Sequence, residues 1–217
     1  MADIFREVEE DLRRDNLNQL WKKYGGFLVA LAVLIVVAVA AFVGWREWRA
    51  SRDIEYSARL VAAGDVADAG NLEEALAAYG RLAEEAGGGH ELLARLRQAA
   101  LAGALGRDDE ALSAYESVAG SSADAVYREL AILLGVMREI DRGNPDDLLE
   151  RLTPLIREDG AWRYSARELT ALLEHRRGNA ERAADLLAAL EQEPEAPPAL
   201  RERAREALAA MGAANEG

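Results

Sequence analysis

Residues 70–79 read "GNLEEALAAY", and the arrangement returns as "GRDDEALSAY" at 106–115, "GNPDDLLERL" at 143–152 and "GNAERAADLL" at 178–187. The leading glycines, Gly70, Gly106, Gly143 and Gly178, stand 36, 37 and 35 residues apart. The fifth residue after each is Ala75, Ala111, Leu148 or Ala183, and the ninth is Tyr79, Tyr115, Leu152 or Leu187. Positions four apart share one face of a helix. The small residue lets a neighbouring helix approach, and the large one fills the space one turn on. Glycine can adopt the left-handed conformation that ends a helix, and an adjacent Asn or Asp can cap the next one. Pro145 falls where a first helical turn tolerates proline.

Between these turns there is no sustained strand-like alternation. Apolar residues recur at three and four, as in Leu92, Leu93, Leu96, Ala99, Ala100 and Gly103, and Ala, Leu, Glu and Arg dominate. The pattern predicts an all-α fold of four helix–turn–helix units, with helices near 52–69 and 72–86, 91–105 and 108–119, 123–141 and 146–157, and 162–176 and 180–192. "GGGH" at 87–90 reads as a flexible joint between two of them. An acidic, proline-containing linker and an amphipathic helix fill 193–217, with Leu200, Ala204, Ala207, Leu208 and Met211 facing inward. A helix of this kind covers the open end of a repeat array.

Ahead of the repeats stands "GFLVALAVLIVVAVAAFVG", residues 26–44, with no charge and no proline. As a helix these 19 residues rise about 28 Å, close to the hydrocarbon thickness of a bilayer. Twelve of them are Phe, Leu, Ile or Val, which favours insertion by roughly 5 kcal/mol. Trp21, Lys22, Lys23 and Tyr24 flank one end, and Trp45, Arg46, Trp48 and Arg49 the other, as aromatic belts and snorkelling cations do at a membrane interface. Residues 1–25 carry five basic and six acidic groups, unlike the short basic start of an export signal. A soluble helix would seldom be apolar on every face for so long. The reading is a single-pass transmembrane helix at 26–44 after a short amphipathic head at 1–25. A juxtamembrane stretch at 45–69 then runs as helix into a repeat domain at 52–192, keeping the repeats close to the membrane. Positive charge flanks the span almost equally, so it orients the segment only weakly; an inside N-terminus suits translocation of a long acidic tail.

That tail is strongly acidic. Residues 51–217 hold 19 basic and 32 acidic groups, which disfavours nucleic acid and anionic headgroups as ligands. Zero cysteines exclude disulfides and thiolate metal sites. His90 and His175 have no ligand-spaced partners, and no nucleophile elbow, phosphate loop or dinucleotide fingerprint is present. The pairs Glu73–Glu74, Asp108–Asp109 and Asp146–Asp147 open second helices, where carboxylates complement the helix dipole. The reading is therefore no enzyme, no cofactor, no metal, no nucleic acid and no small-molecule substrate. Binding candidates are Arg95, Gln98, Arg128, Arg163 and Arg167 on first helices. Trp162 with Tyr164 serves as core more readily than as a ligand anchor. The head strip Ile4, Phe5, Val8, Leu12, Leu17 and Leu20 suits a cytosolic partner or the membrane surface.

The period, with Ala then Tyr four later after a Gly-Asn or Gly-Asp turn, resembles the tetratricopeptide repeat, although the Trp-Leu-Gly-Tyr signature of its first helix and its closing proline are missing. The peptide-clamp residues of that repeat therefore have no counterparts to carry over. The ordered set of Gly25, the span, then Gly44, Trp45, Arg46 and Trp48, with "GAWRYSARELTALLEHRRGNAERA" at 160–183, resembles the YfgM-type family of ancillary subunits of the SecYEG translocon. "MADIFREVEEDLRRDN" at the start is similar to its alphaproteobacterial members. The resemblance implies a bacterial inner membrane, a cytoplasmic N-terminus and a periplasmic repeat domain. It also implies contact with the translocon and with a membrane-anchored periplasmic prolyl isomerase chaperone. Two other readings stay open on the residues alone: a scaffold of envelope assembly or cell division, and a cytosol-facing receptor of opposite topology.

Overall fold

A computed structural model of the chain describes the backbone of residues 2–215 and the side chains of 22–31 and 33–212. The side chains of Trp21 and of the head strip from Ile4 to Leu20 lie outside the described residues. Among the described residues the fold is all-α: α1 (Ala2–Asp68), α2 (Leu72–Glu85), α3 (Gly88–Ala104), α4 (Asp108–Ala119), α5 (Ala125–Glu139), α6 (Pro145–Leu152), α7 (Arg163–Arg176), α8 (Ala180–Gln192) and α9 (Pro198–Asn215). The chain divides into two compact units, Met1–Glu55 and Tyr56–Gly217. In the first, the helix is apolar from Phe27 to Val43, and its side chains there are exposed wherever they are described.

The second unit is an α-solenoid of stacked helix pairs. Its core is not one cluster but a chain of five, and each draws on consecutive helices. Tyr56 and Ala63 meet Tyr79, Leu82 and Ala94; Leu76 meets Ala102 and Ala111; Ala99 meets Tyr115, Val118 and Ala131. Leu133 and Val136 then meet Leu148, Leu152 and Leu173, and Ala171 meets Leu187, Leu190, Leu200 and Ala204. Each repeat thus buries its apolar face only on its neighbours, the arrangement that makes such arrays quasi-one-dimensional. The alanines Ala75, Ala111 and Ala183, at the fifth place after each glycine, are wholly covered, and Leu148 nearly so. Tyr79, Tyr115, Leu152 and Leu187, four residues on, are buried with them.

The turns use two chemistries. Gly70, Gly106 and Gly178 have φ of +85°, +74° and +85°. After them Asn71, Arg107 and Asn179 donate their N–H groups five residues back, to Val66, Ala102 and Glu174, at 3.1, 2.8 and 2.9 Å. This is the Schellman closure, which satisfies carbonyls the helix end leaves free. Gly143 departs from the expectation, since its φ is not positive. It is glycine for space: a Cβ there would stand 3.0 Å from Leu148 Cδ1 and 3.2 Å from Glu139 Cβ. The capping expectation is corrected as well. Only Asn144 caps, accepting from the Asp146 N–H at 3.0 Å, whereas Asn71, Arg107 and Asn179 make no side-chain cap. Arg107 has no side-chain acceptor to cap with, and the Asn179 side chain is turned to Glu174 instead.

Three helices differ from the sequence expectation by two residues or more at an end. The helix expected over 146–157 ends at Leu152 and tightens into a 3-10 turn, Thr153–Leu155. Pro154 has no N–H for the Glu150 carbonyl and its ring crowds that carbonyl. The expected joint at "GGGH" is instead the start of α3, with Gly88 at φ +61° as its first residue. α5 spans Ala125–Glu139 rather than 123–141.

Candidate interaction surfaces

First helices of the repeats carry the exposed large apolar side chains of the second unit: Val61 on α1, Leu93 on α3, Val126, Tyr127 and Met137 on α5, and Leu172 on α7. Six residues before each punctuating glycine lie Gly64, Ala100, Met137 and Leu172. Side-chain volume at this position rises along the array. Where it is small, between α1 and α3, a groove of about 570 Å³ opens. Leu60, Val61, Leu93 and Leu101 form apolar walls, and Tyr79 and Gly64 lie within it. The Tyr79 hydroxyl donates to the Leu60 carbonyl at 3.4 Å, and burial pushes its pKa up. Asp68 and Arg97 are the charged residues lining the groove, and Asp65 is near enough to act on Tyr79 electrostatically. Sequence reasoning did not single out Gly64, Val61 or Arg97. The signal that finds them is the size gradient six residues before each glycine.

A second surface is a row of ion pairs joining successive turns. Glu73 at the start of α2 pairs with Arg107 at 2.5 Å, and Asp146 at the start of α6 with Arg177 at 3.0 Å. Asp108 at the start of α4 accepts from both Arg142 and Arg138, which together hold its carboxyl below the usual aspartate range. Arg138 also donates to the Gly103 carbonyl. Glu174, the buried charged residue of α7, accepts from Asn179 Nδ2 at 2.6 Å and pairs with Arg182 at 3.1 Å. The acidic residues that open second helices are thus used structurally, linking one repeat to the next.

The arginines expected to bind are largely engaged within the fold. Arg95 pairs with Glu91 at 3.0 Å, Arg128 donates to the Ala123 carbonyl, and Arg167 stacks over Tyr164 at 5.7 Å. Arg163 donates to the Tyr164 hydroxyl at 2.7 Å and to Glu195 at 3.0 Å. Gln98 packs beside Gly80. Trp162 lies against the α5–α7 core and its indole N–H donates to the Val126 carbonyl at 2.7 Å, which makes it a packing residue. His90 lies against Tyr56 with ring centroids 5.8 Å apart and the planes tilted by 52°, and its Nε2 lies 3.0 Å from Ser57 Oγ. His175 is exposed in the last turn of α7. Among the described residues no three metal-ligating side chains come together.

In the first unit, the helix from Lys22 onward is long and apolar enough to cross a membrane by length and composition; its best stretch has a mean hydropathy of 3.1 and none of it is buried. Lys23 lies over Tyr24 at 5.4 Å, Arg49 over Trp45 at 5.4 Å and Arg52 over Trp48 at 5.2 Å. Lys22, Arg46 and the three rings are exposed. Each such pair sets a cation against the face of an amphipathic aromatic, chemistry suited to headgroup depth.

A family model described as a tetratricopeptide repeat-like domain matches residues 18–208. The match opens before the apolar stretch, so stretch and repeats fall within one family pattern. No curated protein and no solved structure matches the chain.

Proposed function

The chain belongs to the tetratricopeptide repeat-like domain family, and we propose that it is a membrane-anchored interaction scaffold at the SecYEG translocon of a bacterial inner membrane. The family and fold support a non-enzymatic protein-interaction scaffold. In the finer reading, α1 crosses the membrane through residues 26–44, the N-terminus is cytoplasmic, and the repeats stand in the periplasm. There they bind translocon subunits and a membrane-anchored prolyl isomerase chaperone, helping exported chains pass from one to the other. The mechanism is confinement: a tether raises the effective concentration of partners without adding a contact.

The observation that carries this reading is the single uncharged stretch with its exposed faces and aromatic–cation pairs, lying inside the same family match as the repeats. The resemblance of "GWREW" (44–48) and "GAWRYSARELTALLEHRRGNAERA" to YfgM-type subunits supports the partner.

Two experiments test it. Reporters fused after residue 217, one active only outside the cytoplasm and one only inside, must favour the outside reporter. Chemical crosslinking in native membranes must then recover translocon subunits. Enrichment of division or cell-wall proteins without translocon subunits would transfer the scaffold to envelope assembly.

A further inference from the structure

The groove between α1 and α3 combines three features. Gly64 and Ala100 are small and line it, where Met137 and Leu172 stand at the corresponding places on α5 and α7. Its walls keep Val61 64% and Leu93 48% exposed, so apolar surface stays uncovered. Asp65 and Asp68 on α1 and Arg97 on α3 make no ion pair among the described residues, although most arginines of the repeats do. The α1 side thus presents two unneutralised carboxylates against one guanidinium, within a repeat region of strong net negative charge.

We propose that this groove seats an apolar polypeptide segment that carries a basic residue. Its large side chains enter the space above Tyr79, and its cation meets Asp65 and Asp68. A volume of about 570 Å³ admits a few large side chains rather than a folded domain, so the ligand is a segment. Charge complementarity selects a basic flank over an acidic one. The inference builds on the scaffold reading by naming the class of partner, but it needs neither the membrane orientation nor the translocon.

The test uses the full chain purified in non-ionic detergent and two fluorescein-labelled 16-residue peptides of Leu and Ala, one with two Lys and one with two Glu. Anisotropy titration is expected to show saturable binding of the Lys peptide and binding of the Glu peptide at least about tenfold weaker. Ala100→Leu fills the groove at an exposed position and is expected to weaken the Lys peptide about tenfold. The double change Asp65→Asn with Asp68→Asn is expected to remove the preference for Lys and leave the residual binding. Thermal unfolding and circular dichroism of each variant separate lost binding from lost fold; Ala100→Gly, which keeps the space, must bind as wild type.

Equal binding of the two peptides, absence of saturable binding, or full affinity in folded Ala100→Leu overturns the proposal. So does a concentration-dependent dimer that Ala100→Leu dissociates, because the occupant is then a second copy. If the peptides behave as expected while native-membrane crosslinking recovers no translocon subunit, the groove assignment stands and the translocon assignment falls.

Discussion

Arg203 of α9 grips Glu168 of α7 through two parallel hydrogen bonds, Nε to Oε1 at 2.7 Å and Nη2 to Oε2 at 2.6 Å. The contact bridges 35 residues and ties the terminal helix to the last first-helix of the array. The Glu168 side chain is only 14% exposed, while Arg203 is 55% exposed. Glu168→Ala therefore removes a bidentate charge-assisted pair but returns the arginine to water. A loss of about 0.5–1 kcal/mol is expected. Hydrogen exchange checks it: amides of α9 should exchange faster, while those of α3 and α4 keep their protection.

The two turn chemistries predict opposite orders of tolerance. At Gly106, with φ +74°, the cost of a side chain lies in the backbone, and Asn enters the left-handed region more readily than Ala. Gly106→Ala should cost about 1–2 kcal/mol and Gly106→Asn less. At Gly143 the obstacle is Leu148 and Glu139, so the larger Asn should cost more than Ala. Chemical unfolding of the four variants reads the inversion directly.

Ala111 and Leu148 occupy the same place in successive repeats, both buried. Leu148→Ala leaves a cavity in the α5–α7 core and should cost about 2–5 kcal/mol. Ala111→Leu overpacks the α2–α4 contact and should cost about 1–3 kcal/mol. Denaturant midpoints that fall in both variants would show that each repeat is packed to its own spacing.

Asp108 makes stability depend on pH in a defined sense. Hydrogen bonds from Arg142 and Arg138 lower its folded pKa. The stabilisation is then complete above the usual aspartate value. It erodes as pH falls from that value through the lower folded one, and is absent below both. Asp108→Asn should be less stable than wild type at neutral pH. The gap should close within that acidic window and nowhere above it. Unfolding of both proteins across a pH series measures the gap.

Much of the array was legible because helix-end glycines punctuate it and because small and large residues alternate at a fixed distance after them. Leu148 and Leu152 carry that signal as clearly as Ala75 and Tyr79, although their chemistry differs. The turns are less legible. A glycine in a sequence does not reveal whether it serves backbone conformation, as at Gly106, or space, as at Gly143. An Asn beside it does not reveal that the Schellman hydrogen bonds leave its side chain free for Glu174, as at Asn179. The groove is not legible in the sequence because it is defined by what is small. Gly64 and Ala100 have no chemistry of their own, and their meaning lies in the distance between α1 and α3. The arginines drew attention as binders, but pairing with Glu91, Glu193 or Glu195 depends on contacts that residue type alone does not show.

In the proposed function the repeats meet export partners outside the cytoplasm. A photo-reactive amino acid in place of Leu93, on the groove wall, tests it in living cells. Irradiation followed by mass spectrometry of the adducts should recover translocon subunits or a periplasmic chaperone, and Ala100→Leu in the same chain should reduce those adducts. Adducts with cytosolic proteins alone, or with division proteins and no translocon subunit, would contradict it.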